Sequence, residues 1–176
     1  MFEVLPQLPA DPILGLSTAF KADTNPSKID LGVGVYKDEQ GHTPILDSVA
    51  KAQTILLGKE DSKSYITPQG VQGYIDGMLQ MMLGKANPAL LADRVAAVQA
   101  PGGCGALRIL SELIKRCDEN ITVWVSDPTW ANHIPLIGNA GLAIKTYPYF
   151  DKTNASINFD AMVECLGQVK KGDVVL

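Results

Sequence analysis

Apolar positions in the second half of the chain form short continuous runs that alternate with stretches of helical spacing. The runs predict strands at Val95–Gln99, Ile121–Val125 and Leu142–Tyr147, and a further strand from Val174. The intervening stretches predict helices at Ala106–Cys117, His133–Ala140 and Phe159–Val169. Continuous apolar strands that alternate with helices are typical of a parallel sheet covered on both faces. The pattern therefore predicts an α/β fold with a mostly parallel sheet.

The first half of the chain is predicted to be mainly helical after an irregular start. Four prolines within residues 1–30 interrupt any long element, so this apolar stretch is interpreted as an arm that packs against another surface, such as a second subunit. Three helices are predicted after it, namely residues 47–57 with Asp47 as cap and Gly58 as stop, residues 71–82 ended by Gly84, and a short helix from Asn87.

Composition and charge narrow the possible functions. The 176 residues suit one globular domain, with 46% hydrophobic and 19% charged residues. A net charge of −4 gives no electrostatic case for binding nucleic acid or an anionic membrane, and no apolar run approaches the roughly 20 residues that span a bilayer. The three cysteines are odd in number and far apart, which argues against disulfides or a zinc site and indicates a reducing cytoplasm.

The segment from Pro101 to Arg108 carries the first candidate chemistry. Its three glycines lie between a predicted strand and a predicted amphipathic helix, where backbone N–H groups and the helix dipole form a cradle for a phosphate. A second loop follows the next strand and runs from Asp127 to His133, with Trp130 inside it. An indole beside such a cradle suits a flat phosphorylated ring.

Several segments, in order and at compatible spacing, resemble the class I pyridoxal-phosphate aminotransferases, specifically the aspartate and aromatic amino-acid subgroup. They are Asp11–Leu16, Leu31–Asp38, Thr43-Pro44, Tyr65 before Gly70, Pro101–Arg108, Asp127–His133 and Gly172–Leu176. The resemblance implies the fold-type I architecture, with a large α/β domain that binds the cofactor and a small domain built from both chain ends. It assigns residues 1–42 to the N-terminal arm and small domain, and residues 43–176 to the first part of the large domain, so the chain is expected to be incomplete.

The resemblance also implies roles for residues around pyridoxal 5'-phosphate. Gly103 and Cys104 match the positions that hold the cofactor phosphate, although Thr or Ser is usual where Cys104 stands. A thiol is a poorer donor than a hydroxyl, so this contact is expected to be weaker. Trp130 matches the residue that stacks on the pyridine ring, and His133 matches one that orients the aspartate paired with the ring nitrogen. A structural histidine is the alternative for His133, and a core position suits the strand residue Trp124 better than a stacking role.

Substrate and partner contacts follow from the same resemblance. Tyr65 matches a residue that reaches the phosphate of the neighbouring subunit's cofactor, which implies a homodimer with shared active sites; an ordinary half-buried tyrosine is the alternative. Gly34 matches a backbone position that binds the substrate α-carboxylate, while Ile13 and Leu14 match residues that close over the substrate. The implied reaction moves an amino group between aspartate or an aromatic amino acid and a 2-oxo acid such as 2-oxoglutarate.

The residues that complete this chemistry are not found in the chain. Transamination needs a Schiff-base lysine, a carboxylate on the pyridinium nitrogen and arginines for the substrate carboxylates. In the family these lie beyond the position that matches residue 176, so the 176-residue polypeptide alone is expected to be inactive. Three other interpretations stay open: a non-catalytic partner in a dimer, a Cys104–His133 hydrolase, and a nucleotide-binding oxidoreductase, although residues 102–105 do not give the G-x-G-x-x-G spacing.

Overall fold

Helices form the regular structure in the described part of the first of two compact units, which are Met1–Lys63 and Ser64–Leu176. The computed structural model describes residues 2–4, 12–30, 32 and 34–176. In the first unit a short 3-10 helix at Phe2–Val4 precedes α1 (Pro12–Ala22), and α2 follows at Asp47–Lys59. The domain boundary expected after residue 42 stays a prediction.

The expectation that residues 1–30 are irregular is wrong for α1. Pro12 is the first residue of this helix, where the missing N–H has no intrahelical acceptor in any case, so the proline starts the helix instead of breaking it. Helix α1 then runs for 11 residues, and the turn that contains Pro26 comes after it. The prolines therefore border the helix.

The ends of α2 also differ from the prediction. Asp47 is the first residue of the helix rather than its cap, because the N-cap is Leu46 and no side chain bonds there. Gly58 lies inside the helix, which ends at Lys59. A glycine stops a helix when its backbone takes a positive φ, as Gly84 does after the next helix with φ 83°. Gly58 keeps helical backbone and so does not act as a stop.

The second unit alternates helices and strands. Its helices are α3 (Gln72–Leu83), α4 (Pro88–Leu91), α5 (Gly102–Cys117), α6 (His133–Gly138) and α7 (Phe159–Leu166). Its strands are β1 (Thr122–Asp127), β2 (Ala143–Pro148), β3 (Phe150–Asp151), β4 (Ser156–Ile157) and β5 (Val174–Val175). As predicted, Asn87 begins α4, because its side chain accepts a hydrogen bond from the Ala89 N–H. None of the helices in the described ranges is long and apolar enough to cross a membrane.

Three parallel strands form the main sheet, in the order β2–β1–β5. Strand β1 pairs with β2 along its whole length, starting with Thr122 opposite Ala143, and it pairs with β5 at Val123 opposite Val174. One buried cluster belongs to this sheet and the elements beside it, and its members are Val123, Val125, Ile137 and Leu142. Trp124 in β1 and Ile75 in α3 are also buried. The predicted α/β fold with a parallel sheet is therefore confirmed.

Residues 95–99, which the structure describes, do not form a strand. The prediction of a strand there is therefore wrong. The segment has no regular structure, and its Gln99 N–H donates to the Gln69 carbonyl at 2.8 Å. An apolar run becomes a strand only when a neighbour shares a ladder of hydrogen bonds with it, and the sheet provides none here. The antiparallel hairpin of β3 and β4 was not predicted, because strands of two residues leave little pattern.

Candidate active site

The glycine-rich segment forms the first turn of α5, which begins at Gly102 rather than at the predicted Ala106. Gly102 has φ +69°, a left-handed value that favours glycine, and its N–H donates to the Ala100 carbonyl at 2.9 Å. No side chain caps this helix start. The following N–H groups, at Gly103 and Cys104, therefore have no acceptor within the helix. Both residues are exposed, so these amides are available to an anion.

Gly105 holds the start of α5 close to Pro101. A Cβ at Gly105 would lie 2.9 Å from both Cδ and Cγ of Pro101, which is closer than real Cβ contacts. A Cβ at Gly103, by contrast, would have no described atom within 4 Å. Packing therefore requires the glycine at 105, while the space beside Gly103 is open to a ligand.

The start of α5 lies at the same end of the sheet as the loop that carries Trp130. A short turn over residues 118–121 joins α5 to β1, so the helix runs antiparallel to the strand. Leu107 and Ile114 of the helix line a small cavity together with Val123 of β1, so the helix lies alongside the sheet. The 16 residues of α5 span about 24 Å, and the six residues of β1 span about 20 Å. The helix therefore begins near the carboxyl end of β1, where the Trp130 loop leaves the strand.

Trp130 and His133 contact each other in that loop. Their ring centroids lie 5.3 Å apart at an interplanar angle of 89°, an edge-to-face arrangement. Nδ1 of His133 lies 2.7 Å from Oγ1 of Thr129, so a hydrogen bond also orients the imidazole. Trp130 is 41% exposed, whereas Trp124 in β1 is 9% exposed. The prediction that Trp124 is the core indole is confirmed, and Trp130 is left with a surface that a ligand can cover.

His133 uses one ring nitrogen within the loop and keeps the other for a further partner. Because Nδ1 is engaged by Thr129, Nε2 is the atom that can reach a group outside the loop. In the described part of the chain no hydrogen bond joins His133 to Cys104, whose thiol is free and exposed. The Cys104–His133 hydrolase interpretation gains no support from this arrangement.

A hollow of about 450 Å³ borders the start of α5. It lies between α3 and the segment that leads into α5, and its lining includes Tyr74, Met78, Met82, Gly102 and Gly103. The lining does not include Trp130. The described residues thus place Gly103 and Trp130 at one end of the sheet without enclosing both in a single cavity.

The other predicted site residues are Tyr65, Gly34, Ile13 and Leu14. Tyr65, in the second unit, is fully exposed rather than half-buried. Gly34, in the first unit, is exposed, and a Cβ there would have no described atom within 4 Å. Ile13 and Leu14 belong to the first turn of α1, and their side chains lie outside the described part of the structure. The roles of these four residues stay predictions.

Asp173 has a structural role at the amino end of β1, away from the Trp130 loop. Its Oδ1 accepts from the Thr122 N–H at 3.0 Å, and its Oδ2 accepts from Nε1 of Trp124 at 3.1 Å. Both hydrogen bonds lower the pKa of Asp173 below its ordinary value of 3.8, and the bond from the Thr122 backbone has the larger effect. Nζ of Lys145 lies 5.2 Å from the Trp124 ring centroid. These contacts secure the core indole in β1.

The similarity to known proteins agrees with this arrangement. A family profile described as aminotransferase class I and II matches residues 26–176. The chain belongs to the class I and II aminotransferases. It is 43% identical to the aspartate aminotransferase of Haemophilus influenzae over 176 residues, which are 100% of this chain and 44% of that protein. It is also 43% identical to the aromatic-amino-acid aminotransferase of Pseudomonas aeruginosa over 175 residues, 99% of this chain and 44% of that protein.

A solved aminotransferase has the same fold. The crystal structure of the aromatic-amino-acid aminotransferase from Burkholderia pseudomallei, covalently bound to pyridoxal phosphate, matches with a TM-score of 0.89 and 37% identity, over 99% of this chain and 44% of that chain. The resemblance inferred from the sequence and the fold-type I aminotransferase architecture are thereby confirmed. The chain spans less than half the length of the relatives it matches.

Proposed function

We propose that this chain supplies the phosphate-binding and ring-stacking part of the active site of a pyridoxal-phosphate-dependent aminotransferase. The observation that carries the proposal is the uncapped start of α5, where the Gly103 and Cys104 amides are exposed at the end of the sheet from which the Trp130 loop extends. Membership of the aminotransferase family and the cofactor-bound relative support pyridoxal phosphate as the ligand.

The first turn of α5 suits a phosphate dianion. Its free N–H groups point out of the helix end, and the dipole of a 16-residue helix adds partial positive charge there. The absence of a side chain at Gly103 lets a phosphate oxygen approach the backbone closely. The Cys104 S–H adds a weak donor. We therefore assign the phosphate to the Gly103 and Cys104 amides, with a smaller contribution from the thiol.

Trp130 and His133 suit the cofactor ring. Pyridoxal phosphate, when bound, supplies an electron-withdrawing ring that makes the α-proton of an amino acid acidic. The half-exposed indole of Trp130 offers a flat apolar surface that stacks on such a ring and excludes water from it. Nε2 of His133, oriented through the Thr129 contact at Nδ1, is placed to hydrogen-bond a carboxylate that pairs with the ring nitrogen.

Substrate and subunit contacts are assigned to the other predicted residues. The exposed backbone at Gly34 binds the substrate α-carboxylate, and Ile13 and Leu14 close over the substrate. The fully exposed Tyr65 reaches the cofactor phosphate of a second copy, so the protein is a homodimer with shared active sites. Exposure of a large aromatic side chain supports this role, because such residues are common at interfaces.

The proposed reaction transfers an amino group between aspartate or an aromatic amino acid and a 2-oxo acid such as 2-oxoglutarate. Relatives of both kinds are 43% identical to this chain, so identity alone does not choose between the two substrates. The lysine that carries the cofactor and the arginines that bind the substrate carboxylates are proposed to come from outside these 176 residues. The 176-residue polypeptide alone is then inactive.

The natural polypeptide that contains this sequence, purified at full length with pyridoxal phosphate, tests the proposal. We expect a visible absorbance band from bound cofactor, a change in that band when aspartate or an aromatic amino acid is added, and formation of glutamate from 2-oxoglutarate. Failure of the full-length protein to bind the cofactor would refute the assigned site. Turnover by isolated residues 1–176 would show that the catalytic lysine lies within them.

A further inference from the structure

Two fixed segments flank the stretch that contains Gly34. The first follows α1, where Nζ of Lys28 donates to the carbonyls of Phe20 at 2.5 Å and of Asp23 at 2.7 Å. The same ammonium lies 4.4 Å from the centroid of the Phe20 ring. These contacts tie the end of α1 to the residues that lead into Asp30.

The second fixed segment is the turn over residues 38–42. Asp38 Oδ1 accepts from the N–H groups of Gln40 at 3.0 Å and His42 at 2.7 Å. The Asp38 N–H donates to the His42 carbonyl, and the Gly41 N–H donates to the Asp38 carbonyl, both at 2.9 Å. This turn begins directly after Lys37.

An ion pair joins the two segments across the stretch between them. Nζ of Lys37 lies 2.9 Å from Oδ2 of Asp30, and the Gly32 N–H donates to Oδ1 of Asp30 at 3.0 Å. Both side chains are partly buried, with 32% of Lys37 and 21% of Asp30 exposed. The hydrogen bond from Lys37, with that from Gly32, lowers the pKa of Asp30, so the carboxylate is charged at neutral pH.

Without a cross-link, a chain of seven steps from residue 30 to residue 37 extends up to about 25 Å. The side chains of Asp30 and Lys37 meet only if their backbones stay much closer than that. The pair therefore limits the positions open to the backbone at Gly34, where a Cβ would have no described atom within 4 Å.

We propose that the Asp30–Lys37 ion pair is a clasp that positions the Gly34 backbone to bind the substrate α-carboxylate. This inference rests on the proposed function. Asp30 and Lys37 are positioning residues in this proposal, and neither touches the reacting atoms. The charge of each residue acts only by attracting the other.

A double-mutant cycle in the full-length protein with cofactor tests the clasp. The variants are Asp30→Asn, Lys37→Met, the double variant that combines these two, and the charge exchange Asp30→Lys with Lys37→Asp. Asparagine keeps an acceptor for the Gly32 N–H but loses the charge that holds Lys37. Because the pair is partly exposed, we expect each single variant to raise KM for the amino acid about two- to fivefold, with kcat changed less than twofold. The charge exchange should return KM most of the way to the value of the unmodified protein.

The dissociation constant for succinate, an unreactive dicarboxylate, gives a readout besides turnover and should rise by a similar factor. Glu60→Gln is the matched control, because it neutralises the Glu60–Lys63 ion pair elsewhere in the same unit and should leave KM unchanged. Asp30→Glu keeps the charge and should lie closer to the unmodified protein than Asp30→Asn.

Either of two results would overturn the clasp and indicate direct contact of Lys37 with the substrate. The first is an increase in KM for Lys37→Met without one for Asp30→Asn. The second is that the single effects simply multiply in the double variant. If the unmodified full-length protein transfers amino groups and the cycle shows no coupling, only the clasp fails. If it does not transfer amino groups at all, the proposed function fails and the clasp falls with it.

Discussion

Replacement of Trp130 by alanine distinguishes an indole that stacks on a cofactor from one that stabilises the core. Trp130 is 41% exposed, which is about 100 Å² of an indole side chain of about 250 Å². If the cofactor ring covers half of that area, burial contributes about 1.3 kcal/mol at 25 cal/mol/Å². Aromatic stacking adds about 0.5–1.5 kcal/mol. Loss of both should weaken pyridoxal phosphate binding roughly 20- to 100-fold.

Titration of the full-length apoprotein with pyridoxal phosphate, followed by absorbance, measures this loss, and thermal unfolding of the apoprotein is recorded in parallel. Trp124→Phe is the matched control: Trp124 is buried and donates to Asp173 at 3.1 Å, so its replacement should lower the unfolding temperature and leave cofactor affinity nearly unchanged. The reasoning is refuted if Trp130→Ala destabilises the apoprotein as strongly as Trp124→Phe while cofactor affinity changes less than twofold.

Two further substitutions test the hydrogen bonds at the amino end of β1 and the packing at the start of α5. Asp173→Asn should lower the thermal unfolding temperature above about pH 5, and its difference from the unmodified protein should shrink as pH falls below 3.8. The bonds from Thr122 and Trp124 depress the folded-state pKa of Asp173, so their contribution is present when the carboxylate is charged and is lost as pH falls through that lowered pKa. Gly105→Ala places a methyl group 2.9 Å from the Pro101 ring and should cost about 1–3 kcal/mol of stability in denaturant unfolding, because the rigid ring cannot yield easily.

Each of these substitutions has a control in the same chain. Asp61→Asn removes a carboxylate from an exposed loop and controls for the loss of one negative charge at the surface. A stability difference for Asp173→Asn that stays constant from pH 7 to pH 3 would contradict the assigned bonds. Gly103→Ala meets open space and should leave stability unchanged or slightly raised, while it weakens cofactor binding. Equal destabilisation by the two alanines would show that packing against Pro101 is not the cause.

The correctly predicted strands have both a clear hydrophobic pattern and pairing strands in the described part of the chain. Strand β1 is a continuous apolar run, and its neighbours β2 and β5 follow along the chain, so its buried Val125 and Trp124 were predictable from pattern alone. Residues 95–99 have the same kind of pattern but no neighbouring strand in the described residues, and the prediction failed there. Pairing, which a local pattern does not contain, decides between the two cases.

Backbone details at helix ends account for other differences. Pro12 suits either a break in a helix or the first position of one, and the two outcomes have the same local sequence. The Thr129–His133 contact was missed, although a spacing of four residues at a helix start could have suggested it. That Gly103 and Trp130 act together on one ligand stays a prediction, because the described residues do not enclose both in a single cavity.

A crystal structure of the full-length protein with pyridoxal phosphate tests the assigned site most directly. We predict phosphate oxygens within about 2.7–3.2 Å of the backbone nitrogens of Gly103 and Cys104, with the Trp130 indole lying parallel to the pyridine ring. Phosphate bound elsewhere, with the first turn of α5 covered by side chains and Trp130 packed away from the ring, would contradict the assignment.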